Sequence, residues 1–133
     1  MTATDTDNSG SATGIEVSVA VQYVDAESDA ARDRYVFAYT ITISNRGATP
    51  GQLLNRHWLI TDATGQVEEV RGPGVVGQQP RLEPGQSFRY TSGAILKTPV
   101  GAMQGEYEFT DDNGEHFDVP IAPFSLSMPH LVH

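Results

Sequence analysis

From Ile15 onward the chain places apolar residues at every second position: Ile15, Val17, Val19, Val21 and Tyr23 alternate with Glu16, Ser18, Ala20 and Gln22. A period of two is the signature of a strand with one buried face, and no stretch of useful length carries the helical spacing of three to four. The alternation returns with Tyr35, Phe37, Tyr39, Ile41 and Ile43, after a polar stretch from Asp25 to Arg34 that has no apolar stripe and reads as a loop. Leu53 to Thr61 reads as a third strand with Leu54, Trp58 and Ile60 on one face. Asp62-Ala63-Thr64-Gly65 is a hairpin loop, and Gln66 to Arg71 pairs back against that strand. Glu83-Pro84-Gly85 predicts a turn with Pro second and Gly third, leading into Phe88 and Tyr90. Met103, Tyr107 and Phe109 alternate up to Asp111-Asp112-Asn113-Gly114, where the Asn-Gly step signals a hairpin because both residues tolerate positive φ. Phe117, Val119 and Ile121 form the returning strand, and Pro120 within it implies a sheet edge or a bulge.

About seven short strands, punctuated by turns and free of repeats, predict an all-β fold, an immunoglobulin/fibronectin type III-like antiparallel β-sandwich, with a barrel as the alternative. Length fits one domain: 133 residues sit within the usual domain range, and two domains would each be undersized. Residues 1–14 have almost nothing to bury and are expected as a disordered tail, leaving 15–133 as the sandwich. Trp58 suits a central core plug whose indole N–H needs a partner, and Tyr107 suits a corner tyrosine.

Composition removes several functions. No apolar run approaches the roughly 20 residues of a membrane span, so a channel or membrane partner is not expected. With no cysteine, disulfides, thiolate metal sites and Cys nucleophiles are excluded, which fits a reducing compartment. The N-terminus lacks a basic n-region and an apolar h-region, so the expected location is cytoplasmic. A formal net charge of -9, with its eight Lys and Arg scattered, argues against nucleic acid as a partner.

Two segments concentrate binding chemistry. Gly72-Pro73-Gly74-Val75-Val76-Gly77 matches the G-x-G-x-x-G spacing, but Gln78 to Pro84 carries two prolines and no helical period, so the dinucleotide fingerprint lacks its helix. What remains is an anion-binding nest for a nucleotide polyphosphate, built from Arg71, Gly72, Gly74, Gly77 and Arg81, or a tight structural loop whose glycines allow positive φ. Glu106, Glu108, Asp111, Asp112, Glu115 and Asp118 lie close together without a Lys or Arg among them. Glu106 and Glu108 should share the face opposite Tyr107 and Phe109, with Asp118 beside them across the hairpin. With His116 they offer ligands for Mg2+ or Co2+, or form a solvated acidic edge that discourages aggregation; no resident cofactor is expected.

Catalysis finds little support. His57, His116, His130 and His133 share no metalloprotease spacing, and His57 should point away from Trp58. Ser92 lacks a nucleophile elbow. The expectation is a non-catalytic binding module. The C-terminal Ser127 to His133 is mildly apolar and could cross to a second subunit, so a homodimer is possible.

A longer string carries a resemblance: Arg56-His57-Trp58, Ile60, Asp62, Gly65, Val70 through Pro80, Leu82, Pro84-Gly85, Phe88, Tyr90 through Gly93, Met103-Gln104-Gly105 and Ile121 through Phe124. From Ile15 to His130 the chain resembles the bacterial ApaG family. The resemblance implies a fibronectin type III-like sandwich, a link to cobalt and magnesium resistance or efflux, and a chromosomal neighbourhood shared with a diadenosine tetraphosphate hydrolase. Related domains in eukaryotic F-box and DNA-polymerase-interacting proteins imply, by analogy, a protein-binding role.

Overall fold

The alternating pattern is realised as eight strands in two antiparallel sheets, in a computed structural model that describes residues 13–129. The first twelve positions of the expected tail lie outside the described residues, as do 130–133, which carry His130 and His133. Strands β1 (Ile15–Tyr23), β2 (Tyr35–Asn45) and β6 (Ser87–Leu96) form one sheet in the order β1-β2-β6. Strands β3 (Gly51–Asp62), β4 (Val67–Pro73), β7 (Val100–Asp111) and β8 (His116–Ser127) form the other in the order β4-β3-β7-β8. The two-residue β5 (Arg81–Leu82) joins that sheet beside the start of β3. Among the described residues no helix is long and apolar enough to cross a membrane.

Every second residue of β2 is buried, and Phe37, Tyr39, Ile41 and Ile43 join Trp58, Met103, Tyr107, Phe109 and Val119 in one core. Trp58 sits at its centre as expected, meeting Tyr39, Tyr107 and Phe124 edge-on at ring-centroid distances of 5.6, 6.2 and 5.9 Å. Its indole N–H has no hydrogen-bond partner. Tyr107 is not a corner tyrosine: it lies in mid-strand opposite Val119, and its hydroxyl pairs with that of Tyr90 across the sandwich.

Asn45 is the buried polar residue that closes the end of β2. Its side-chain amide donates to the carbonyls of Thr49 and Leu82, and its side-chain oxygen accepts the Gly47 N–H. The turn Glu83-Pro84-Gly85-Gln86 forms as the sequence implies, with Gly85 at φ +89° and the Gln86 N–H on the Glu83 carbonyl. The Asn113-Gly114 hairpin differs in detail. Only Gly114 takes positive φ, and the Asp111 side chain accepts the N–H groups of Asn113 and Glu115. The polar stretch before β2 holds two single 3-10 turns, Asp25–Glu27 and Ala30–Arg32, neither burying a residue. Pro120 meets the edge alternative, since β8 is an edge strand and Pro120 stays in register opposite Glu106, while the slip in pairing with β7 falls beyond it, at Ala122 and Pro123.

Candidate functional site

A single extra residue organises the site. Along β3 the pairing with β7 passes from Leu53↔Phe109 to Asn55↔Glu108, so Leu54 is a bulge with no partner. The bulge reverses the phase of the strand. Leu53, not Leu54, is buried, correcting the face expected from strict alternation, while Trp58 remains inward. Arg56 then shares the inward side with Trp58, and His57 takes the outer face, as the sequence predicts for a neighbour of Trp58.

The unpaired Leu54 carbonyl anchors the glycine-rich loop. It accepts the Gly74 N–H at 2.8 Å and the Gln79 side-chain amide at 2.9 Å. Val75 and Gln78 exchange both backbone hydrogen bonds around Val76 and Gly77, whose φ values of +43° and +81° give a tight turn of type I′ character. The Arg56 guanidinium lies beneath this loop and donates from Nη1 to the carbonyls of Pro73 (2.9 Å) and Gly74 (3.0 Å). Gly72 has a reason to be glycine here, because a Cβ on it would sit 3.0–3.1 Å from that guanidinium.

The cations named from the sequence are engaged elsewhere. Arg71 pairs with Glu69 at 3.0 Å on the outer face, and Arg81 bridges Glu83 and Asp112 at 3.1 and 2.9 Å. The amides of Gly74, Val75 and Gln78 donate to backbone carbonyls within the fold. The loop's own cation is thus Arg56, which sequence reasoning passed over. The signal that could have found it is the bulge, and nothing in the residue types marks one.

On the outer face of the larger sheet, a groove of about 510 Å3 gathers Asn55, His57, Arg71, Glu106, Glu108 and Asp118, and Arg56, Gly72 and Pro73 also line it. The expected convergence of Glu106, Glu108 and Asp118 is therefore present, set by the pairs Glu108↔Asp118 and His57↔Glu106. His57 is held between two carboxylates, with Nδ1 2.7 Å from Glu106 and Nε2 2.6 Å from Glu69. Serving both acceptors requires a proton on each nitrogen, and the hydrogen bonds to Glu106 and then Glu69 raise the pKa of His57 above its ordinary value. The hydrogen bond from His57 lowers that of Glu69. Glu108 accepts from Asn55 at 2.6 Å and meets His116 Nδ1 at 2.8 Å, and these contacts, Asn55 first, lower its pKa.

The other acidic residues named from the sequence are not in this cluster. Asp111 caps its hairpin, Asp112 pairs with Arg81, and Glu115 sits at the hairpin turn. Among the described residues no group of three or more His, Asp or Glu could hold a metal ion. Ser92, the serine weighed as a nucleophile, does not meet His57 as a base. Ser92 lies on β6 in the opposite sheet from His57, and both nitrogens of His57 are occupied. Burial drives the Tyr90 and Tyr107 phenols far above their ordinary pKa, so neither is a phenolate base.

Comparison with known proteins agrees with this architecture. The family described as the ApaG domain matches residues 25–111. The ApaG proteins of Pseudomonas entomophila and of an Azoarcus strain are 53% and 54% identical to this chain, each over 90% of it and 94% of the relative. The crystal structure of an ApaA protein from Bordetella pertussis superposes with a TM-score of 0.85 at 53% identity, covering 87% of this chain and 94% of that one. With the sandwich, the bulge-anchored loop and the Arg56-His57-Trp58 string in place, the chain belongs to the ApaG domain family.

Proposed function

We propose that this chain is a non-catalytic binding module that engages a protein partner along the open side of the sandwich. The observation that carries the reading is the crevice between edge strands β4 and β6. There Val67 and Ile95 stand 58% and 53% exposed and line one groove of about 330 Å3 with Ile60 and Leu96. Isolated apolar side chains on a surface need no explanation, but two at the rims of one groove between unpaired edges suit an added strand or an inserted side chain. The occupied nitrogens of His57 and the neutral phenols support the non-catalytic half. A cytoplasmic setting accords with the cysteine-free composition. In this reading, any cobalt or magnesium dependence that the family resemblance implies would be carried by the bound partner. Polyphosphate binding at the loop ranks below, because Arg71 and Arg81 are already paired with carboxylates.

Site-specific photo-crosslinking tests it. A photoreactive residue at position 67 or 95 should give one discrete protein adduct in native lysate, lost when Ile95→Glu is introduced beside a probe at 67. A probe at position 115 should give none. An adduct of twice the chain's mass would make the partner a second copy. No adduct at 67 and 95, or the same products from 115, would refute the reading.

A further inference from the structure

The open edge strand β4 turns one face toward the other sheet, and that face is not a plain core face. Cross-strand pairing sets Gly72 beside Arg56, Val70 beside Trp58 and Glu68 beside Ile60. Trp58 is buried, so Glu68, Val70 and Gly72 share the inward side of β4. Glu68 lines the groove between β4 and β6 with Ile60 and Leu96. Lys97 lines the same groove, yet among the described residues Glu68 makes no hydrogen bond or ion pair. Two positions along, Val70 packs against the core. Two further on, Gly72 has no side chain, and the place its Cβ would take is 3.0–3.1 Å from the Arg56 guanidinium. Arg56 donates from Nη1 to Pro73 and Gly74, while Nε and Nη2 make no hydrogen bond and no carboxylate among the described residues pairs with it.

An inward-facing charge on an edge strand hinders indiscriminate pairing, because a strand added there must bury that charge or match it. The same charge therefore selects what is added. A strand laid along β4 sets its residues directly opposite those of β4, with Cβ atoms about 4.5–5.5 Å apart and every second side chain turned into the cleft. Opposite Glu68 it meets a carboxylate without a cation, and opposite Val70 an apolar surface. Opposite Gly72 it meets bare backbone, with the unpaired side of Arg56 behind it. Antiparallel addition, the commoner kind, runs the segment from the Arg56 end to the Glu68 end. We propose that the partner supplies an extended segment added antiparallel to β4, with an acidic residue, an apolar residue two positions later and a Lys or Arg two positions after that. No Lys or Arg of this chain has an Asp or Glu four positions before it, so a second copy does not supply the segment. The proposal rests on the partner reading above and gives the partner its chemistry.

The test uses the full chain and capped synthetic peptides, read by backbone amide shifts. A Thr-Glu-Thr-Val-Thr-Lys-Thr peptide should shift the β4 amides saturably in the millimolar range. Exchanging its Glu and Lys turns two attractions into two repulsions and should weaken binding about tenfold or more. Glu68 is exposed, so Glu68→Lys leaves the core intact. That variant should bind a peptide with Glu at both charged positions more tightly than the Glu/Lys peptide, reversing the native order. A merely structural Glu68 would not produce the reversal. Glu115→Lys, which makes the same change of net charge at the distal hairpin, should keep the native order. Unmoved β4 amides at tens of millimolar peptide, equal or tighter binding of the exchanged peptide, or no reversal in Glu68→Lys would overturn the proposal. Crosslinking at 67 and 95 reads the partner independently, so failure of the peptides beside an intact adduct removes the segment and leaves the partner reading standing.

Discussion

Replacing Gly72 with alanine sets two effects against each other, and Arg56 decides which wins. The added Cβ would stand 3.0 Å from Nη1 and 3.1 Å from the rest of the guanidinium, so the group must shift by a few tenths of an ångström. It is tied by hydrogen bonds of 2.9 and 3.0 Å to Pro73 and Gly74, and displacing it weakens both. Charged hydrogen bonds are worth about 1.5–3 kcal/mol when intact, but these are partly exposed and only strained, so a loss of roughly 2 kcal/mol for the pair is reasonable. Gly72 does not have positive φ, so alanine returns about 0.4–1 kcal/mol by restricting the unfolded chain. The net expectation for Gly72→Ala is a destabilisation of about 1–1.5 kcal/mol. At a urea slope of roughly 1.5 kcal/mol/M this lowers the unfolding midpoint by a little under about 1 M. In an Arg56→Met background the tether is gone, and the same substitution should become neutral or stabilise by up to about 1 kcal/mol. Urea unfolding of the four proteins measures the coupling, expected near 2 kcal/mol. Equal costs in both backgrounds would refute the account of why position 72 is glycine.

Val76 is a β-branched residue held at φ +43°, a conformation that costs about 1–3 kcal/mol, so Val76→Asn should raise the stability by roughly 1 kcal/mol in the same urea assay. His57 should titrate above its ordinary value of 6.5 when its ring protons are followed by NMR. The sign for stability follows from linkage. A raised His57 stabilises fully below about pH 6.5 and loses that contribution as pH rises through its folded-state pKa, whereas a lowered Glu69 stabilises above its ordinary 4.5 and loses it as pH falls. The Tm gap between the native chain and His57→Gln should therefore be widest between pH 4.5 and 6.5 and should close on the alkaline side. A gap that widens with alkali would contradict it.

Period-two patterning made β2 legible because every second residue of it is buried, and Pro84-Gly85 made its turn legible because positive φ at that position selects glycine. The convergence of Glu106, Glu108 and Asp118 was readable for the same reason, since a hairpin fixes which residues face each other. Bulges defeat such reasoning. Leu53-Leu54 are identical in type, so nothing in the residues says which one is inserted, yet that choice decides whether Arg56 faces water or the core. The pairing of Arg81 with Asp112 was equally hidden, because it joins residues far apart through the two-residue β5, too short to leave a pattern. The glycine spacing was visible, but its purpose was not, because Gly72 makes room for a side chain supplied by a neighbouring strand.

The division of consecutive residues between opposite faces is best tested by side-chain NOEs at Arg56 and His57. The Arg56 side-chain protons should show contacts to the α-protons of Gly72, and the His57 ring protons should contact the Glu69 and Glu106 methylenes. Contacts from the His57 ring to Tyr90 or Tyr107, with Arg56 showing none to Gly72, would place the insertion elsewhere and remove the basis for the account of the loop.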